Sequence, residues 1–235
     1  MSICYLCGEE LAGEINVDHV PPKQFYPESL RASCPNLLTL PTHYSCNFAY
    51  QKDEDYFSMS IGPLVSEVSL SGKELWQDIS RRVKDPQKVG LAATVSKEFQ
   101  EKHGSLYLPG NKMVKNFDPE RVWNVVWKIT RGLYFHEKGK VLPKDFFPKS
   151  FYIQLEAGKE PPPEFSFVAH APWRGRHPVV FDYKYVIEER LNNFNAWAFL
   201  LWGAMILMVC FHDPDCPCAS CKRLEHFSLG CARDR

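Results

Sequence analysis

The sequence predicts an α+β fold with three parts: a small cysteine-rich N-terminal module, a helical middle and an antiparallel, β-rich C-terminal half. Pairs of Cys and His residues near the N-terminus are spaced like metal ligands. Apolar residues then recur at helical intervals as far as residue 139, and β-branched and aromatic residues dominate from about residue 151. We therefore predict two domains, residues 1–60 and residues 61–235, the second of unknown role in binding a target or a partner.

The composition is that of an ordinary globular protein. Hydrophobic residues make up 45% of the 235 residues and charged residues 24%, which excludes a disordered or fibrous chain. The 28 basic and 28 acidic residues cancel, but residues 1–60 carry three Lys or Arg against eight Asp or Glu. Contacts to nucleic-acid phosphates are therefore expected from the basic middle segment, unless its cations merely form a solvated helix face. These cations include Arg81, Arg82, Lys84, Lys88, Lys112 and Lys115.

Two features indicate a cytoplasmic protein with reduced thiols. The nine cysteines are odd in number, and Cys4 stands where a secretory signal would need a basic and then an apolar segment. The apolar run at residues 196–211 has 16 residues, fewer than the ~20 that span a bilayer. We expect two buried strands or a core helix there, and no membrane role.

Three helices are predicted in the middle of the chain, each from a capping residue that precedes an apolar stripe. The first begins with the capping box Ser71-Gly-Lys-Glu74, and the second begins after Asp85-Pro86. The third begins after Asp118-Pro119 and ends at Gly139.

Five strands are predicted in the C-terminal half, from β-branched and aromatic segments that are separated by Gly, Pro and Asn turns. Together they are expected to form an antiparallel sheet. The predicted segments are Phe151–Leu155, Phe165–Ala169, Val179–Ile187, Asn195–Trp202 and Met205–Phe211.

Four residues near the N-terminus are spaced as one zinc site. Cys4 and Cys7 are separated by two residues, and His43 and Cys46 repeat that spacing. Together they can form a tetrahedral Cys₃His site that clamps the intervening loop, and metal binding would provide much of the folding free energy of so short a module. Two alternatives remain open: Cys34 replaces His43 as the fourth ligand, or the segment is a plain zinc ribbon with Asp18 and His19 on its surface.

A second cysteine cluster lies near the C-terminus, where Cys216, Cys218 and Cys221 precede Cys231. These residues are candidates to hold a second zinc ion. Their spacing is irregular for a zinc site, so the sequence leaves this question open.

Three further motifs lie between and beside the four N-terminal ligands: Asp18-His19-Val-Pro-Pro-Lys23, Pro35-Asn36-Leu, and Asn47 directly after Cys46. In this order and spacing, residues 1–57 resemble the zinc-containing branch of the HNH endonuclease family, which has a ββα-metal fold. The resemblance implies that Asp18 and Asn47 bind a catalytic divalent ion. It also implies that His19 is the general base and that Asn36 orients the His19 imidazole.

The sequence departs from the family pattern at two positions. His43 stands where the family usually has a Cys, which is a conservative change because imidazole and thiolate both suit zinc. Asn47 stands where the family name would place a His. The catalytic ligands are then oxygen atoms of Asp18 and Asn47, which favour Mg²⁺ or Mn²⁺ over a second zinc.

Phosphodiester hydrolysis needs these residue types. A base must activate water near neutral pH, and His19 fits because an unperturbed imidazole titrates at about 6.5. A metal ion held by few protein ligands keeps positions open for the phosphate. Lys23 and Lys52 are candidates to hold flanking phosphates. Because adjacent strand residues face opposite sides, Asp18 and His19 share a site only if the strand bends there, which Pro21-Pro22 supports.

The expected function is that of a metal-dependent HNH endonuclease that hydrolyses phosphodiester bonds, with double-stranded DNA as the substrate. Its expected cofactors are structural Zn²⁺ and catalytic Mg²⁺ or Mn²⁺. By analogy with HNH proteins, we expect a prokaryotic defence or restriction-type role, with the C-terminal half binding a protein partner or a second copy. The alternative is a non-catalytic zinc-stabilised module that binds nucleic acid or protein, which the acidic N-terminal residues favour because they grip DNA poorly.

Overall fold

The N-terminal part of the protein, in a computed structural model, has a strand–strand–helix arrangement. The structure describes residues 2–104, 106–108, 113–143, 146, 150–154, 163–190 and 193–213. Strand β1 (Ile15–His19) pairs antiparallel with β2 (Thr39–His43). Their connection contains a 3-10 helix (Lys23–Phe25) and helix α1 (Glu28–Arg31), and β2 leads into α2 (Tyr44–Phe48) and α3 (Gln51–Ser66).

The middle of the chain contains the three predicted helices, namely α4 (Leu70–Arg82), α5 (Pro86–Lys97) and α6 (Pro119–Lys138). The capping residues predicted for the last two are confirmed. The Asp85 side chain accepts the Gln87 backbone N–H, and the Asp118 side chain accepts the N–H groups of Glu120 and Arg121. Gly139 ends α6 in the left-handed conformation, with a φ of 64°.

The capping box predicted for the first helix is wrong in register. The residue that caps α4 is Ser69, whose hydroxyl accepts the Gly72 N–H at 3.0 Å. Ser71 lies inside the first turn, where it is buried, and its hydroxyl donates to the Trp202 carbonyl oxygen at 2.9 Å. The sequence pattern predicted that the Ser71 hydroxyl caps the helix, but this hydroxyl instead satisfies the buried carbonyl group of Trp202.

Two short strand pairs and one larger sheet complete the fold. Between α5 and α6, β3 (Phe99–Gln100) pairs with β6 (Val114–Lys115), and β4 (Lys102–His103) pairs with β5 (Leu106–Tyr107). The C-terminal half contains an antiparallel sheet, as predicted, with strands β7 (Ser150–Gln154), β8 (Phe181–Glu188), β9 (Phe194–Leu201) and β10 (Met205–Phe211). Their order across the sheet is β7-β10-β9-β8.

The strand predicted at Phe165–Ala169 is wrong. Residues Pro163–Val168 form a 3-10 helix that packs on β8 and β9. Phe165 and Val168 both contact the sheet next to Ala196 and Ala198, and their three-residue spacing suits a 3-10 turn. The segment therefore covers one face of the sheet and does not extend its edge.

The apolar run at residues 196–211 forms most of β9 and all of β10, which confirms the prediction of two buried strands. Trp202 and Gly203 form the turn between them, with φ values of 52° and 63°. Among the residues that the structure describes, no helix combines the length and the apolar character that crossing a membrane requires.

One hydrophobic core joins the N-terminal module to the helices and the large sheet. Phe25 stacks on Phe57 with 5.1 Å between ring centroids, and Trp202 lies 5.3 Å from the Phe25 ring. The Trp202 indole N–H donates to the Phe25 carbonyl oxygen at 2.8 Å. The domain boundary predicted at residue 60 falls within α3, so the two predicted parts share a helix as well as a core.

Helix α6 packs closely against the N-terminal module at Gly132. A Cβ atom added there would lie 2.7 Å and 2.9 Å from the two Val20 methyl carbons and 3.3 Å from the Tyr5 ring. Glycine is therefore required for this close approach, because Val20 and Tyr5 are both buried.

We predict that Gly132→Ala destabilises the protein by about 1–3 kcal/mol, since the new methyl group overpacks the contact with Val20. Gly90→Ala is the matched control, because a Cβ added to Gly90 in α5 would meet no other described residue within 4 Å beyond the helix's own nearby backbone. The control should be neutral or stabilising by up to about 1 kcal/mol. Urea unfolding of both variants measures the difference, and an equal effect of the two substitutions contradicts the close packing of α6.

Candidate functional site

The first candidate site is a cluster of three thiols and one imidazole. Pairing of β1 with β2 places His43 opposite Ile15 at the end of the two-stranded ladder, and Cys46 follows in α2. The ligand atoms of Cys4, Cys7, His43 and Cys46 all lie within 4.8 Å of one another. Four atoms this close can surround one tetrahedral ion.

The contacts of His43 suit metal binding. Its Nε2 atom lies 3.1 Å from the Glu10 carbonyl oxygen, and its Nδ1 atom lies 3.3 Å from Cys7 Sγ. When Nε2 carries the proton and donates a hydrogen bond to the Glu10 carbonyl oxygen, Nδ1 is unprotonated and its lone pair points to the thiols. The cluster can therefore hold a structural zinc ion. His43 is its fourth member, and Cys34, the alternative ligand, is buried outside the cluster.

The thiols themselves favour a cation. Burial raises the pKa of Cys4, but hydrogen bonds from the Thr42 hydroxyl and from backbone N–H groups outweigh it and lower that pKa to about 6. Burial, followed by the charges of Cys4 and Cys7, raises the pKa of Cys46 to about 12. Neighbouring thiolates thus repel one another, and a divalent ion among them would allow all three to ionise. The second cysteine cluster, Cys216, Cys218, Cys221 and Cys231, lies outside the described residues.

We predict one tightly bound zinc ion at the N-terminal cluster. Cys46→Ser should release it and lower the free energy of unfolding by about 3 kcal/mol or more, because the ion joins two segments, residues 4–7 and residues 43–46. Cys34→Ala is the control, since it removes a buried thiol that lies outside the cluster. Elemental analysis and thermal denaturation give the result. Loss of zinc from Cys34→Ala, or its full retention by Cys46→Ser, contradicts the assignment.

The second candidate site surrounds the ammonium group of Lys128, which sequence reasoning did not single out. Lys128 Nζ lies 2.9 Å from the Asp18 carboxylate and 2.9 Å from Asn47 Oδ1, and it also donates to Glu54. Its side chain is 1% exposed. Asp18 and Asn47 do converge on one point, and the atom at that point is a lysine nitrogen.

Four elements build this Lys128 centre, which we define as Asp18, Asn47, Glu54 and Lys128. Asp18 is on β1, Asn47 on α2, Glu54 on α3 and Lys128 in the middle of α6. Burial outweighs the charge of Lys128 and raises the pKa of Glu54 to about 6.

The Tyr5 hydroxyl adds a further hydrogen bond to the Lys128 centre by donating to Asp18. Burial and the Asp18 charge hold the Tyr5 pKa well above its ordinary value. The Tyr5 hydroxyl therefore stays protonated and serves as a fixed donor.

The donor atoms of the Lys128 centre suit a hard cation, because two carboxylates and an amide oxygen are the ligands that Mg²⁺ and Mn²⁺ prefer. The position that these oxygen atoms share is filled by Lys128 Nζ. As arranged, these residues do not fit the divalent ion expected at Asp18 and Asn47, since that ion would have to displace a buried ammonium.

His19 is the last residue of β1 and is half-buried. The strand does not bend between Asp18 and His19, because the β1–β2 ladder is unbroken from Ile15 to His19, and the expected bend comes directly afterwards, at Val20 and Pro21. Adjacent residues of such a strand face opposite sides, and Asp18 takes the buried side. Burial, and then the charge of Lys23, lowers the pKa of His19 below its ordinary value, although Asp18 acts in the opposite direction.

Asn36 lies apart from His19 in its contacts. It is exposed and adopts a left-handed backbone with a φ of 56°, and its carbonyl oxygen accepts from Arg176 at 3.4 Å. Within the described ranges, no hydrogen bond joins the Asn36 side chain to His19. The orienting role expected of Asn36 would therefore require a local rearrangement.

The cations expected to contact phosphate differ in their availability. Lys23 and Lys52 are exposed, and the Lys52 carbonyl oxygen accepts from Arg121 at 2.7 Å. Lys88 pairs with Asp55, and Lys115 pairs with Glu98 with a side chain only 5% exposed. Lys115 is therefore not accessible to a phosphate in this arrangement, whereas the expectation for Lys88, whose side chain is 30% exposed, stays a prediction. Lys112 lies outside the described residues.

Two members of the Lys128 centre carried signals in the sequence. Lys128 interrupts the apolar positions Val125, Val126 and Ile129 of α6, and a lysine on a buried stripe needs an anionic partner. Glu54 follows Asn47 by seven residues, a spacing that would place both on one face of a single helix, although the structure divides them between α2 and α3. Neither signal identifies the partner.

No protein-family model, no curated protein and no solved structure matches this chain.

Proposed function

We propose that this protein hydrolyses phosphodiester bonds in nucleic acid at an HNH-type centre, with His19 as the general base. The observation that carries the proposal is the meeting of the Asp18 and Asn47 side chains at Lys128 Nζ. His19 follows Asp18 in β1 and faces the other side of the strand, but it is near enough for the charges of Asp18 and Lys128 to act on its pKa. The strand–strand–helix order of β1, β2 and α2, with a Cys₃His cluster at its base, supports the same proposal.

His19 would activate the attacking water. Its lowered pKa keeps the imidazole neutral near pH 7, so that a ring nitrogen can accept a proton as the water oxygen attacks phosphorus. The phosphorus–oxygen bond to the leaving sugar oxygen would break, and that oxygen would take a proton from solvent water. Positive charge for the phosphates flanking the scissile bond would come from the exposed Lys23 and Lys52. Double-stranded DNA is the proposed substrate.

The proposal predicts that His19→Ala lowers the rate of nicking of supercoiled plasmid by about 10²–10⁴-fold, because the variant lacks the base. His170→Ala removes an exposed histidine far along the chain and serves as the control, with nicking unchanged. Equal nicking by His19→Ala and the unmodified protein would sink the proposal. The assay should include single-stranded DNA and RNA, so that the substrate is identified as well.

A second candidate function is a zinc-stabilised module that binds nucleic acid or protein without catalysis. The specific observation that favours it is the balance of charge at the Lys128 centre. Asp18 and Glu54 offset the single ammonium, which is 1% exposed, so this centre offers no net positive charge to a phosphate. This candidate predicts that the protein binds a labelled DNA duplex and that the duplex is recovered intact after long incubation. A Lys23→Ala/Lys52→Ala double variant should bind the duplex more weakly.

A further inference from the structure

We propose that Lys128 is the resident cation of the centre formed by Asp18, Asn47 and Glu54, and that it stands in place of a divalent metal ion. This inference deepens the proposed function, because it concerns the cation of the same site. It does not depend on cleavage, since its test measures metal binding.

The hydrogen-bonding capacity of the four groups is matched. A lysine ammonium has three N–H donors, and Lys128 donates to three different side chains: Asp18, Asn47 and Glu54. No donor of the ammonium is left over for a substrate. Three oxygen ligands would fill half of the coordination shell of an octahedral ion. Here all three accept hydrogen bonds from the Lys128 ammonium group.

Charge excludes a second cation at this place. A divalent ion bound by the same three oxygen atoms would lie within a few ångströms of a buried ammonium, and like charges at that distance repel strongly when water is excluded. Metal binding would therefore require Lys128 to leave the centre.

The helix that carries Lys128 is fixed against the N-terminal module along its length. The Arg121 side chain donates to Asp53 at 3.0 Å, and Asn124 donates to the same carboxylate at 2.8 Å. Arg131 donates to the Leu6 carbonyl oxygen, and Gly132 packs against Val20.

These contacts recur every three or four residues, so they lie on one face of α6. Lys128 is in the middle of that face. The contacts on both sides hold Lys128 in place. The cation of the centre is a side chain of the protein, so it cannot be replaced by an ion from solvent unless Lys128 moves away.

A prediction follows for the protein with and without the ammonium group. Mn²⁺ is titrated into the zinc-loaded full-length protein and free Mn²⁺ is followed by electron paramagnetic resonance. The unmodified protein should show no binding that depends on Asp18. Lys128→Ala should bind one Mn²⁺ with an affinity at least tenfold higher than that of the unmodified protein. The substitution frees three oxygen ligands and the space that the lysine side chain occupied.

Two control variants separate the ammonium group from general effects. Lys128→Met removes the charge but fills the space, and it should gain no Mn²⁺ site. Lys128→Ala/Asp18→Asn should lose the gained site. Mn²⁺ should also raise the melting temperature of Lys128→Ala and leave that of the unmodified protein unchanged.

Stoichiometric Mn²⁺ binding by the unmodified protein that Asp18→Asn abolishes would overturn the inference. The same comparison decides it even if Lys128→Ala does not fold, because it needs only the unmodified protein and Asp18→Asn. Such a result would leave the nuclease proposal standing. Absence of nicking together with the expected Mn²⁺ results would remove the nuclease proposal and leave the role of Lys128 intact.

Discussion

The buried ammonium of Lys128 is the constraint on which the rest of the structure depends. A lone charge in a protein interior is highly unfavourable, and this one is tolerated because Asp18, Asn47 and Glu54 surround it. These partners come from a strand and two helices of the N-terminal module, so Lys128 ties α6 to three of its elements, in addition to the contacts that Arg121, Asn124, Arg131 and Gly132 make with the same module. Loss of a single partner from such a buried group costs about 3–5 kcal/mol.

The Cys₃His cluster constrains the other side of the same module. Residues 1–60 form a two-stranded ladder, two short helices and the first part of α3, and their buried residues belong to the core shared with the other helices and the large sheet. A zinc ion at Cys4, Cys7, His43 and Cys46 would tie the N-terminal residues to the His43 end of the ladder, while α6 packs on Val20 and Tyr5 and Trp202 packs on Phe25 and Phe57. Metal ligation and long-range packing thus stabilise different parts of one unit.

A tethered ammonium and an exchangeable metal ion would give this centre different chemistry. The ammonium carries one positive charge and offers no open coordination position, whereas a divalent ion carries two charges and can bind a phosphate directly. With Lys128 in place, a nucleic acid bound as proposed would contact the half-buried His19 and the exposed Lys23 and Lys52. The nuclease proposal requires that His19, Lys23 and Lys52 are sufficient for hydrolysis. The binding-module proposal requires only that the lysines contribute to binding.

The sequence by itself determined the features that depend on local spacing. The Cys-x2-Cys and His-x2-Cys pairs identified the cluster that could hold a metal ion, and Asp85 and Asp118 identified two helix starts. Segments rich in β-branched and aromatic residues identified four strands of the large sheet. These signals are local because a capping side chain or a ligand pair acts within a few residues.

Only the tertiary structure decided which distant groups share a site. Lys128 and Asp18 are 110 residues apart, and Ser71 meets a carbonyl 131 residues away, so no local pattern specifies either contact. The segment after Pro163 likewise became a 3-10 helix because the sheet offered a face to cover. The physical reason is the same in each case. A buried polar group needs a hydrogen-bond partner and an apolar face needs a packing partner, and either partner can come from a part of the chain that is distant in sequence.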